Sequence, residues 1–323
     1  MHLISLETLR VCASRTFGAI SITIKTYNIT YSIDFSISII IRRSHLSDSH
    51  EVPPNAPLAL VAVGIRFLDG TKSSSYPVNL WRAFREVLGQ DWVIETRKVQ
   101  SQVVSFNASG PFLESQPTTT VPKFTIRDRT MAIALTGNSM TVETTEYHHY
   151  PQFREIIEAA VDATTQVVRP DGISRIGMRY IDEIRVPEVT IVSDIPSWAK
   201  WLDPSLVAPK LTSMANSGYT CSAWDGAVQF DVGEDRYLVF SYGPHPSYVA
   251  NPDGKPKRTS PPPMRPVFMW DFDCFWTPSD IPEFDPAVVV STCDELRRPI
   301  RTLFDILTTE QLKAEFMKEG RNG

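Results

Sequence analysis

Asp271 and Asp273 stand two residues apart in FMWDFDCFW, residues 268–276. In an extended chain, side chains two apart share a face. Two carboxylates placed this way can grip one hard divalent cation, as in many metal-dependent phosphoryl-transfer sites. Such a site needs a third carboxylate, and Asp231, Glu143 and Glu234 are the candidates. The competing reading is that both acids form salt bridges with basic neighbours across a sheet. The alternate residues Phe268, Trp270, Phe272, Cys274 and Trp276 mark the opposite face as core.

The basic neighbours are suggested by a repeated Gly-x-Arg. GIRFLD (64–69) and GMRYID (177–182) share Gly, Arg and Asp in register, and Arg175 precedes the second copy. Strand alternation puts Val61, Val63, Ile65 and Phe67, and likewise Ile176, Met178 and Tyr180, on a core face. Gly64, Arg66, Arg175, Gly177 and Arg179 fall on the other face. A mid-strand glycine beside an arginine leaves room for a guanidinium to lie flat or for a ligand to enter. Arginine's planar fork suits carboxylate or phosphate. The face therefore reads as an anion- or partner-binding surface, or as arginines neutralised by acids across the sheet.

Other chemistry is sparse. His148 and His149 are adjacent in a strand-to-helix loop, where their rings diverge and chelation is disfavoured. There is no GxSxG, HExxH or phosphate-cradling loop. Cys12, Cys221, Cys274 and Cys293 show no metal-binding spacing and read as thiols in a reducing compartment. The net charge is −5. Residues 1–46 carry five basic and two acidic side chains, which leaves −8 for the remainder. That balance disfavours phosphate-backbone binding without a local basic patch. No apolar run is long enough for a membrane helix.

Elements able to position these residues repeat with the motif. LWRAFREVL (80–88) has helical spacing, with Asn79 as a plausible N-cap and Gly89 as a stop. IPSWAKWL (195–202) is a shorter helical patch in the second copy. Strand-like stretches follow at about 92–106, 121–136 and 139–147, and again at 211–223, 227–242 and 267–276. Helices at 153–168 and 285–304 close the halves, the latter with Asp285 as N-cap, Pro286 at its first turn and Pro299 as a kink or restart. Thr308 and Gln311 form a capping-box pattern.

The expected fold is α+β: a duplicated β-α-β-β-β-α unit in one long, twisted, mainly antiparallel sheet with helices on one face. A pseudo-twofold axis would relate the halves, as in TATA-binding-protein-like or helix-grip folds by analogy. Residues 1–50 read as a leader, disordered or upstream of the true start; an edge strand or organellar presequence is the alternative. Residues 51–170 and 171–323 would be the halves of one compact domain. NPDGKPKRTSPPPMRP (251–266) reads as an exposed excursion that docks on a partner, closes over the arginine face or stays disordered.

PNAPL (54–58), RIGMRYID (175–182), WDFDCFW (270–276) and PIRTLFDILTTEQLK (299–313), in that order, resemble a sporadically distributed bacterial family of conserved hypothetical proteins. The resemblance spans about 54–317 and brings no activity with it. Patchy distribution implies a mobile defence or toxin–antitoxin-like role. Where the resemblance implies a histidine, three residues before Ile300, this chain has Arg297. The resulting expectation is a cytoplasmic, non-catalytic module. It would bind a protein partner or small anionic ligand through Arg66, Arg175, Arg179, Gly64 and Gly177, with no cofactor. A phosphoryl-transfer enzyme or nuclease using a divalent metal at Asp271 and Asp273 is the alternative, and a nucleic-acid-binding saddle the second.

Overall fold

The computed structural model describes residues 11–16, 19–26, 29–35, 52–53, 55–68, 76–99, 102–107, 110–115, 119–207, 213–214, 216–219, 221, 223–247, 250, 256–259 and 263–318. Val11–Thr16 (β1), Ala19–Thr26 (β2) and Ile29–Phe35 (β3) pair antiparallel with one another and belong to a separate unit, residues 1–47. The rest of the expected leader lies outside the described residues.

The main unit begins with Leu58–Leu68 (β4), whose eleven residues carry the first Gly-x-Arg. Val78–Leu88 (α1) follows; Pro77 rather than Asn79 occupies its N-cap, and Gly89 stops it at φ 105°, a backbone only glycine adopts freely. Val93–Val99 (β5), Thr119–Thr125 (β8), Met131–Thr136 (β9) and Ser139–Thr144 (β10) complete the first half of the sheet. Gln102–Asn107 (β6) and Gly110–Ser115 (β7) form a hairpin outside it. After α1 the first half thus holds six strands where three were expected: the stretch at 92–106 divides into β5 and β6, the stretch at 121–136 into β8 and β9, and β7 is additional.

Tyr150–Ala163 (α2) runs into a π-helical turn at Thr164–Val168. Gly172–Ile184 (β11) then carries the second Gly-x-Arg. A short helix, Ile195–Trp198 (α3), precedes Gly226–Gly233 (β12), Arg236–His245 (β13) and Val267–Trp276 (β14). The expected strand at 211–223 is not formed in its described residues, and the 227–242 stretch splits at a turn into β12 and β13. Pro286–Leu307 (α4) is capped by Asp285, which accepts from Ala287 N at 2.8 Å, and it continues through Pro299 without restarting. Glu310–Phe316 (α5) is capped by Thr309, one residue later than the capping-box pattern suggested.

The sheet is mixed in sequence order but antiparallel at every pairing: β12-β13-β14-β11-β4-β10-β9-β8-β5. β4 and β11 sit side by side near its middle, with Gly64 opposite Gly177 and Arg66 opposite Arg175. The helices cover one face. Val61, Val63, Ile65, Ile176 and Met178 are fully buried there, as their alternation requires, and Tyr180 is half-buried. Each such burial contributes roughly 1.5–3 kcal/mol. From β14, Phe268, Trp270, Phe272 and Cys274 join the same core, which α4 closes with Val289, Cys293, Leu296 and Ile300.

Candidate functional site

The opposite face displays the charged residues. β11 and β14 are neighbours, so Arg179 lies in register with Asp273 and Gly177 with Phe275. Each arginine reaches diagonally along β14 instead of straight across. Arg179 forks onto Asp271, Nε to Oδ1 at 2.7 Å and Nη2 to Oδ2 at 2.6 Å. Arg175 donates from Nη2 to Asp273 at 3.1 Å, and its guanidinium lies 4.6 Å above the Phe275 ring.

Gly177 makes that posture possible. A Cβ there would stand 2.6 Å from Arg175 Nη1, so the guanidinium occupies the space a side chain would fill. Gly64 opposite has nothing within 4 Å of a Cβ position. Arg66 is exposed and makes no side-chain hydrogen bond or ion pair with any described residue. Of the five residues singled out on this face, two arginines are therefore neutralised and one is open.

Burial pushes the Asp273 carboxyl up, against the pull of Arg175 and Arg179. The third-carboxylate candidates do not converge on the aspartates. Glu143 lies on β10, three strands from β14; Asp231 lies on β12, two strands away, and accepts from Gly233 N; Glu234 pairs with Arg236. Among the described residues no group of three His, Cys, Asp or Glu side chains is placed to hold a metal ion. His149 is a helix cap, its Nδ1 accepting from Gln152 N at 3.2 Å. Cys274 and Cys293 are buried, and burial pushes both thiols up to about 12. Among the described residues no helix is long and apolar enough to cross a membrane.

Arg297, where the resemblance implies a histidine, lies on the helix side of the sheet. Its guanidinium stacks 4.5 Å from the Tyr150 ring. Tyr150 donates to Asp294 at 2.7 Å, and Arg154 binds the same carboxylate. Burial first, and then the bond to Asp294, push the Tyr150 hydroxyl far up, so it serves as a donor that ties α2 to α4.

A second arginine–carboxylate cluster was not legible in the sequence. Glu183, at the end of β11, has a side chain only 1% exposed. It accepts from Arg258 at 2.7 and 2.6 Å, from Arg185 at 2.6 Å and from Ala250 N at 2.8 Å. Burial alone would push its carboxyl up; the donors from Arg258, Arg185 and Ala250 outweigh that and hold it below the usual range. Arg258 comes from the proline-rich excursion, whose described residues dock at this end. Lys257 N donates to Arg129 O at 2.6 Å, and Thr145 Oγ1 donates to Lys257 O at 2.5 Å. Ala250 packs with Leu60 and Ile181 there. Residues 251–255 and 260–262 of the excursion lie outside the described residues.

No family model matches the chain, and no curated protein or solved structure does.

Proposed function

We propose that this protein is a non-catalytic binding module that takes an acidic protein partner on its open sheet face, with Arg66 as the principal contact. The supporting observation is the bare charge of Arg66 beside two neutralised arginines. Like charges opposite each other in a sheet are unfavourable. Arg175 escapes that cost through Asp273; Arg66 has no such acid.

A duplicated unit supplies the reason. Reading outward from the central pair, β4 is followed by β10, β9 and β8, and β11 by β14, β13 and β12. Gly64 and Gly177 match, so Arg66 matches Arg179. The strand registers then make Ser139 the counterpart of Asp273, and Gly137 the counterpart of Asp271. At these counterpart positions one half keeps two acids and the other has none, and this supports a partner supplying the missing carboxylate. The quoted motif order supports membership of the sporadic bacterial family.

Affinity capture from source-cell extract at low salt tests this reading. An acidic protein retained by the wild type and lost with Arg66→Glu is expected; equal retention by both rejects it. Metal-dependent phosphoryl transfer is the outcome to watch. Asp271 would have to surrender the Arg179 fork to bind an ion. A large rise in melting temperature with Mg²⁺ or Mn²⁺, abolished by Asp271→Asn, would replace the binding reading by that one.

A further inference from the structure

A cavity of about 970 Å³ opens at the end of the sheet where Glu183 lies. Its charged lining residues are Arg185, Arg258, Arg265, Lys318, Glu183 and Glu315. They come from three segments: the end of β11, the excursion before β14, and the end of α5. Four cations face two carboxylates in a domain whose overall charge is strongly negative. Glu183 is saturated by Arg185 and Arg258. Glu315 pairs with Lys318.

Arg265 is left over. Its side chain makes no hydrogen bond or ion pair with a described residue, and its Nε is buried without an acceptor. Its backbone is nonetheless fixed, because Arg265 N donates to Pro263 O at 2.9 Å just before β14 begins. Arg185 likewise has a buried Nε with no acceptor. A buried donor left unmade costs about 1–3 kcal/mol. A half-enclosed wall with surplus positive charge concentrates anions from solution. The volume is at the upper end for small-molecule sites, which leaves room for an organic body beside the charged group.

We infer that this cavity binds a small organic dianion, a phosphate monoester or a dicarboxylate, with the Arg265 guanidinium as its fork. The two ligand classes share two negative oxygens that match a planar pair of N–H donors. The inference is independent of the open-face reading, since Arg66 does not line the cavity.

Titration calorimetry on the full chain tests it, with phenyl phosphate and succinate as separate probes at ionic strength held constant with NaCl. Saturable binding of at least one probe is expected, and the one that binds names the class. Arg265→Gln should weaken that binding about tenfold or more, while Arg66→Glu leaves it unchanged. Arg265 has no described partner to lose, so the variant should melt with the wild type. If it does not fold, Arg265→Lys, which keeps the charge and removes the fork, carries the same comparison. Absence of binding by both probes at millimolar concentration overturns the inference, as does equal binding by the Arg265 variant.

Discussion

β11 offers arginine–carboxylate chemistry at two places, and burial separates them. At mid-strand, Arg179 is 48% exposed and Asp271, its partner, 14%. At the strand end, Glu183 is 1% exposed and holds two arginines and a backbone N–H. Water screens the first pair, so its making or breaking changes little. Around Glu183 each group depends on the others for solvation, so the cluster behaves as one part of the fold. The mid-strand ladder can exchange partners; the strand-end cluster cannot.

Glu183→Ala should give the largest effect. It leaves Arg185 and Arg258 buried without their counter-ion, a loss on the order of 3–5 kcal/mol. Chemical denaturation measures it. Because the folded carboxyl is held low, its contribution is present above the ordinary glutamate range near 4.5 and fades as pH falls through the lowered folded value. A wild-type/variant gap that stays constant down to pH 3 would show that Glu183 does not act through its charge.

Asp182, the adjacent residue, should act in the opposite direction. The residue is 3% exposed, and its carboxyl has no described hydrogen-bond partner. Burial, and then the nearby charge of Asp271, raise its carboxyl to about 8. The folded state therefore holds a proton that the unfolded chain releases above 3.8. Stability linked to Asp182 is complete below that value and declines as pH rises toward 8. Asp182→Asn should stabilise the protein at pH 7 by on the order of 3 kcal/mol, with the gain vanishing near pH 4. Melting curves across that range check the slope, and a variant less stable at pH 7 would mean that the acid has a structural partner.

Arg179→Ala should cost about 1 kcal/mol, since the arginine is half in solvent although Asp271 is only 14% exposed. Urea midpoints would reveal it. A loss comparable with Glu183→Ala would erase the distinction between the two places.

Alternation made the ladder readable, and Asp271, Asp273, Arg175 and Arg179 share the face their spacing assigns. That the acids serve the arginines was one of two readings until the diagonal reach of Arg175 and Arg179 was visible; register across strands is not written in either strand alone. Composition, in contrast, obscured the Glu183 cluster. Arg258 is 75 positions away from Glu183 and sits among prolines that read as an exposed excursion. Only the return of that chain to the end of β11 gives the segment a role. Asn79 and Thr308 were displaced as caps by residues two and one positions away, Pro77 and Thr309, because cap identity depends on where packing ends a helix more than on side-chain type.

The smallest effect is the sharpest test of how the ladder is built. Gly64 and Gly177 face each other in register, and both are mid-strand glycines where alanine would improve local strand preference. At Gly64 a methyl meets open space, so Gly64→Ala should be neutral or stabilise by a few tenths of a kcal/mol. At Gly177 a methyl meets the Arg175 guanidinium, the mobile end of a long side chain, which must swing off Phe275 and away from Asp273. The stability cost should be small. The electrostatic consequence should not be, because Asp273 loses the first of the cations that oppose its burial. An NMR titration of Asp273 should therefore show its carboxyl titrating higher in Gly177→Ala and unchanged in Gly64→Ala. If both variants move Asp273 alike, the glycine at 177 is not what holds Arg175 in place, and the ladder rests on the strands alone.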